Sequence, residues 1–314
     1  MVENRVLSFE ETNRALKRKA ISNKTKHILS LVFVYFFMLL IYSPLIYITI
    51  FAFTSAKTTG QWTGFDMKAF VNLFSGRNKD GVEIWNATLN TMIVALTSAT
   101  LSVLLGTLGA IGIYYSRNKL WKKSLQFINQ IPIVNAEIVT ALSLCVLFIS
   151  VARLETSFFT LIIGHMILSL PYVVLSVLPK LEQMDPSLYE AAMDLGATQR
   201  RALLTVVIPD ILPGILSGFM LAVTLSLDDY VITAFTAPKD ALWEVEVGGN
   251  FLNEFKTLST YVEGTMKLGM PIELRSFTAI LFGVILLVMI GMYIKNGVDI
   301  RKQKRMRKFR IRRN

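Results

Sequence analysis

Long uncharged apolar runs alternate with short polar segments along the whole chain. The runs at 28–53 and 84–116 are 26 and 33 residues long. A helix rises about 1.5 Å per residue, so roughly 20 apolar residues cross a hydrocarbon core of about 30 Å. Further runs at 124–152, 157–178, 211–235 and 277–294 bring the expected number of spans to six. In lipid each spanning segment must satisfy its own backbone polar groups, and an α-helix does so. The pattern predicts an all-α integral membrane protein with six transmembrane helices. The first run is too long for a signal-peptide core and has no clear small-residue cleavage site, so it is expected to remain as an anchor.

Three regions follow from this pattern: a basic N-terminal segment (1–27), a six-helix domain (28–294) and a basic tail (295–314). Gly106, Gly109 and Gly112 recur at three-residue spacing in the second run, which predicts a close helix–helix contact. Pro132, Pro171 and Pro213 lie in or beside apolar runs and predict kinks. Segment 236–276 is longer than a connector needs to be. Within it Phe251, Leu252, Phe255 and Leu258 have the spacing of one helix face, suited to the outer leaflet, the protein's own surface or an external partner.

Charge distribution supplies an orientation. The net charge of +11 could suit nucleic acid, but alternate polar segments divide the 33 Lys and Arg residues into 24 on one side and nine on the other. The positive-inside rule places both termini, loop 117–123 and loop 179–210 in the cytoplasm. The tail, with Met306, Phe309 and Ile311 among its basic residues, is then expected on anionic lipid headgroups, and nucleic acid is not an expected partner. Cys145 is the only cysteine; with no CxxC motif or Cys/His cluster, neither a disulfide within the chain nor a metal site is expected.

The chemistry available is sparse. No glycine is followed by lysine, so the GxxxxGK[ST] phosphate loop is absent, and the two histidines form no Ser/His/Asp or Cys/His set. An enzyme is not expected, no cofactor is expected on this chain, and there is no candidate catalytic residue. The intramembrane acids carry more information. Glu137 falls near the middle of the third run, where a carboxylate costs about 2.5–3.5 kcal/mol on insertion scales and should face a polar cavity or partner. Asp228 lies roughly 26 Å up its helix from Ile211. Asp228 and Asp229 point about 100° apart on a helix, so one can line a pore while the other caps or pairs. These three are candidate contacts for a passing cation; the alternative is that Glu137 bonds a neighbouring helix and the aspartates pack an external loop. His165 is expected to bond between helices.

One polar segment stands out. Tyr189 to Arg200 is a charged, helix-forming patch between two apolar spans. Leu188, Ala191, Ala192 and Leu195 share one side of a helix, and Gly196 suits a left-handed stop. Glu190-Ala191-Ala192, three residues, Gly196, nine residues and then Val206-Val207-Ile208-Pro209 resembles the EAA loop of ABC importer permeases, with Val206 and Ile208 in place of the usual isoleucine and leucine. The alternative is an ordinary interfacial helix.

Other segments resemble the polyamine-importer group of that family. Ala136-Glu137-Ile138-Val139 with Ser143 to Phe148 looks like the group's third span, although Ala136 stands where a proline is usual. Gly164-His165 with Leu170 to Val174 is similar to the fourth, and Thr224 to Ile232 to the acidic part of the fifth; Tyr261 to Leu281 looks like the re-entry into the last. The resemblance covers about residues 28–295 and leaves 243–258 as an insertion with no inherited role.

The resemblance implies a type I ABC importer permease fold in the cytoplasmic membrane, moving spermidine or putrescine. It implies an EAA coupling loop at 182–210, with Glu190, Ala191, Ala192, Gly196 and Pro209 engaging the ATPase. The implied partners are a second permease subunit forming a heterodimer, two copies of a cytoplasmic ATPase that hold ATP and Mg, and an extracytoplasmic substrate-binding protein. An importer for another small solute and a proton-coupled secondary carrier are the alternatives. The acids disfavour an anionic substrate, and no paired internal repeat of the kind carriers often show is evident.

Overall fold

The structure is a computed structural model, and it describes residues 9–56, 60–76, 78–247 and 250–311. In chain order the helices are α1 (Phe9–Phe51), α2 (Lys68–Phe74), α3 (Lys79–Tyr115), α4 (Lys119–Val134) and α5 (Glu137–Val146, continued by a π-helical turn at Leu147–Val151). Then come α6 (Phe158–Gln183), α7 (Pro186–Asp194), α8 (Gln199–Ala202), a second π-helical turn at Leu203–Val207, α9 (Ile208–Asp228) and α10 (Val231–Thr236). Strands β1 (Asp240–Val247) and β2 (Asn250–Glu254) precede α11 (Leu258–Leu268) and α12 (Ile272–Ile311). Among the described residues five helices are long and apolar enough to cross a membrane, and α4 with α5 makes a sixth crossing if that bent pair is one span.

The chain forms two compact units. One comprises residues 1–71 and 272–314. Its helix α1 is continuous across residue 27, and α12 runs on from the last apolar run into the basic tail. The buried Arg275 side chain donates from Nη1 to the Ala56 carbonyl at 2.9 Å, while the Phe53 and Phe65 rings stack 5.5 Å apart. Residues 1–8 and 312–314 of the two terminal segments lie outside the described residues, as does side-chain placement beyond Lys295.

The other unit, residues 72–271, is built on α3, α6 and α9. Each helix has a local reason to start where it does. Asn78 caps α3 by accepting from the Asp80 N–H at 3.0 Å, and Ser157 with Thr160 forms a reciprocal capping box on α6. Ala99, Ala110 and Ile113 of α3 pack with Val173, Val177 and Leu181 of α6 and with Ile211 and Ala222 of α9. Gly106 is what lets α3 approach α6, because a Cβ there would sit 2.8 Å from a Val173 methyl. Of the three glycines expected to make this contact, Gly109 is only in ordinary contact with Val174, and Gly112 faces open space. A three-residue repeat drifts round a 3.6-residue helix and leaves the seam.

Three further expectations are corrected. The third run is not one helix: α4 and α5 meet at 103°. Asn135 and Ala136 are extended there, and the Asn135 amide donates to Thr140 Oγ1 at 3.2 Å. Pro132 weakens the preceding turn by removing a backbone donor. The fifth run is likewise two helices, α9 ending at Asp228 and α10 starting at Val231, because Asp229 is extended. Segment 236–276 carries an antiparallel ribbon, so Phe251 and Leu252 lie on a strand and only Leu258 begins a helix. Side-chain placement in 241–254 lies outside the described residues.

Candidate functional site: a surface helix and a buried acidic junction

Helix α7 is a short rod laid on the surface. Asp185 caps it by accepting from the Ser187 N–H at 3.0 Å, a bond that holds the Asp185 carboxyl below the ordinary aspartate range, and Pro186 begins its first turn. Its end is a Schellman motif: Gly196 N–H donates to Met193 O at 2.9 Å and Ala197 N–H to Ala192 O at 3.1 Å. Gly196 has φ +85°, the left-handed conformation that favours glycine. The chain then turns into α8, which Thr198 caps.

No residue of α7 is buried. Glu190, Ala191 and Leu188 are exposed, Ala192 is half-buried, and Leu195 just beyond the helix is 90% exposed. Pro209 lies in the first turn of α9, behind the π-helical turn at Leu203–Val207. A proline has no N–H for the carbonyl one turn back, and the wider turn accommodates that loss. The helix is tethered on one side: the Tyr189 ring lies 5.5 Å from Tyr115 at the end of α3. Beside it, Lys122 of α4 pairs with Glu182 of α6 at 3.4 Å.

The second constellation lies where α5, α6, α9 and α10 meet. Of the three acids singled out by sequence, two bear on each other: the Glu137 carboxyl lies near enough to Asp229 for their charges to interact. Glu137 is exposed and opens α5 directly after the sharp bend. Asp229 is buried, whereas Asp228, the last residue of α9, is exposed. Asp229 acts as a cap, accepting from the Ile232 N–H at Oδ1 (3.1 Å) and from the Thr233 N–H at Oδ2 (3.2 Å).

His165 joins this cap to the helix core. Its Nδ1 lies 2.8 Å from Ser226 Oγ, and its Nε2 lies 3.0 Å from Thr233 Oγ1 and 3.2 Å from Asp229 Oδ2. Both ring nitrogens thus have partners in either tautomer; with the proton on Nε2, Nδ1 accepts from the Ser226 hydroxyl and Nε2 donates towards Asp229. Ser226 continues to Ser98 of α3 at 3.3 Å, and the Ser259 hydroxyl ties the Asp229 carbonyl to α11 at 2.8 Å. Five helices therefore meet in one polar chain. Sequence reasoning gave His165 an interhelical bond, and the structure shows several. It gave Ser98, Ser226 and Thr233 no part, because single hydroxyl residues in apolar runs carry no signal of their own.

A chain with apolar spans, a capped surface helix and a polar junction inside its helical body has the architecture of a membrane transport subunit. The family of binding-protein-dependent transport system inner membrane components matches residues 102–303, and the chain belongs to it. Over 250 residues it is 27% identical to the putrescine transport system permease protein PotI of Escherichia coli K12, covering 78% of this chain and 82% of that one. Over 197 residues it is 32% identical to the spermidine/putrescine transport system permease protein PotC of Haemophilus influenzae, covering 63% and 74% respectively. Among solved structures, a bacterial ABC transporter that imports the acidic polysaccharide alginate superimposes with a TM-score of 0.61. That pair is 17% identical and covers 87% of this chain and 95% of the other, a likeness of fold.

Proposed function

We propose that this chain is one of two permease subunits of an ATP-driven importer for polyamines such as putrescine and spermidine. The observation that carries the substrate class is the pairing of an exposed carboxylate, Glu137, with a buried one, Asp229, at a helix break inside the apolar body. Two nearby carboxylates in low-dielectric surroundings repel, and a desolvated ammonium group relieves that repulsion. A linear polycation then gains where an anion would lose. The names of the relatives support the same class. The fold itself does not decide charge, since it is shared with a transporter of an acidic polysaccharide.

Glu137 is the direct contact, because the Asp229 side chain is only 1% exposed and its oxygens already serve α10 and His165. Asp229 contributes charge from behind, and Asp228 lies free for a separate contact. Moderate attraction at several points permits release as well as entry.

Energy comes from outside the chain, which has no phosphate loop. Two cytoplasmic ATPase subunits, holding ATP and Mg, would seat the exposed side of α7 in a groove. Their closure on ATP would move α7, with Tyr189 and Tyr115 transmitting the displacement to α3. The distribution of basic residues supports a cytoplasmic α7 and cytoplasmic termini, with the tail on anionic lipid. A second, non-identical permease completes the pore, and an extracytoplasmic binding protein delivers substrate.

The test is uptake of radiolabelled putrescine and spermidine by the assembled complex carrying Glu137→Gln or Asp229→Asn at matched expression. Weakened but measurable uptake, with a raised half-saturating concentration and retained ATPase assembly, is expected. Normal uptake in both variants would contradict the acidic pathway.

A further inference from the structure

His165 is one of two histidines in the chain, and its side chain is 1% exposed within the membrane-spanning body. A buried imidazole that merely filled space would leave two ring nitrogens to satisfy at a cost. Here both are engaged, and on different helices: Nδ1 on α9 through Ser226, Nε2 on α10 through Thr233 and on the α9–α10 break through Asp229. Resting on the polyamine pathway proposed above, we infer that His165 is a positioning residue for transport. Through Nε2 it holds the Asp229 carboxyl in place behind Glu137, so that the acidic pair meets the cargo in one preset arrangement.

The geometry separates this role from a simple tie between helices. Asp229 accepts from Ile232 and Thr233 of α10 with its two oxygens, and His165 is the side chain from another helix that reaches the same carboxyl. His165 approaches Oδ2, the oxygen shared with Thr233, and the Thr233 hydroxyl itself donates to the Asp229 carbonyl at 3.3 Å. The imidazole and Asp229 are both 1% exposed, whereas Glu137 is exposed, so the contact with cargo falls to Glu137. Ser226, itself 3.3 Å from Ser98, engages Nδ1 at 2.8 Å and so holds the ring's other edge. Close packing of α6 on α10 allows the reach, since a Cβ on Gly164 would meet an Ile232 methyl at 2.8 Å.

The experiment uses the full complex in proteoliposomes, with binding protein, ATP and radiolabelled putrescine, and compares the wild type with His165→Leu and His165→Gln. His165→Leu removes the Nε2 contact with the Asp229 carboxyl and is expected to raise the half-saturating putrescine concentration about tenfold while the maximal rate changes less. The glutamine amide reaches the Nε2 position, and His165→Gln is expected to return the value to within about threefold of wild type. In a Glu137→Gln background, where the acidic pair is already broken, His165→Leu is expected to add little. Should His165→Leu fail to assemble, His165→Asn carries the comparison, because its shorter amide reaches the Ser226 side but not Asp229.

Equal losses of maximal rate in the leucine and glutamine variants, with half-saturation unchanged, overturn the positioning role and leave a structural tie. A full His165→Leu effect in the Glu137→Gln background overturns it as well. A wild-type complex that transports neither putrescine nor spermidine defeats the substrate assignment on which this role rests. Wild-type uptake with unaltered His165→Leu kinetics defeats the role of His165 alone.

Discussion

Gly196 offers a clean perturbation of the surface helix. Its φ is +85°, and a Cβ there would meet nothing within 4 Å. Gly196→Ala therefore introduces no clash with any other part of the protein; its whole effect comes from the residue's own backbone. An L-residue with a side chain pays about 1–2 kcal/mol in the left-handed region, which shifts the balance between the turned and unturned chain about 5- to 30-fold. The unturned form loses the bonds from Gly196 N–H to Met193 O and from Ala197 N–H to Ala192 O, and it redirects α8. Apparent affinity for the ATPase subunits should fall by up to the same 5- to 30-fold, since only the turned form presents α7 correctly and the fall follows its lost population. Titrating reconstituted permease with ATPase and following stimulated hydrolysis measures it. Gly196→Asn is the control, because asparagine visits this conformation more readily, and its loss should be smaller. Wild-type affinity in the alanine variant would refute the assignment of the turn as the element that sets the docking geometry.

Other expectations follow from particular contacts. Gly106→Leu places a side chain where Val173 already stands, and should lower the stability of the α3–α6 packing by about 1–3 kcal/mol, seen in thermal unfolding in detergent, with Val173→Ala giving partial recovery. Glu190→Lys reverses an exposed charge on α7 and should lower the putrescine moved per ATP hydrolysed while all spans remain inserted, as read by uptake and hydrolysis on one preparation. Asp185 has a depressed pKa from its bond to the Ser187 N–H, so its cap is intact above the ordinary aspartate range and is lost as pH falls through the lowered value. Hydrogen exchange at Ser187, corrected for intrinsic rates, should show constant protection near neutrality and a loss only in acid, and Asp185→Ala should abolish that protection at every pH.

The spans were legible in the sequence because the bilayer imposes a length and a polarity on every crossing segment, and no soluble fold asks for a 33-residue uncharged run such as 84–116. The surface helix was legible because a proline start, two alanines and a stop glycine are local instructions. The breaks were not. At Asn135 and at Asp229 a helix ends inside an apolar run, and the residues that reverse the chain are satisfied by partners on the same short segment or on distant helices. Asp229 and Asp228 look alike as neighbours, yet one caps α10 and the other is exposed, because the break turns them to opposite environments. The ribbon at 240–254 did leave a signal: Trp243 to Val247 alternates apolar with acidic residues and is followed by Gly248-Gly249, a hairpin pattern overshadowed by the helical spacing of Phe251 to Leu258.

The central claim is that this chain moves a polycation only as part of an ATP-driven assembly. Proteoliposomes test it most directly: the chain with its permease partner, ATPases and binding protein on one side, and the chain alone under an imposed proton gradient on the other. The expected result is putrescine or spermidine uptake that requires ATP and the binding protein, with none in the chain alone. Uptake by this polypeptide alone, driven by the proton gradient, would contradict it.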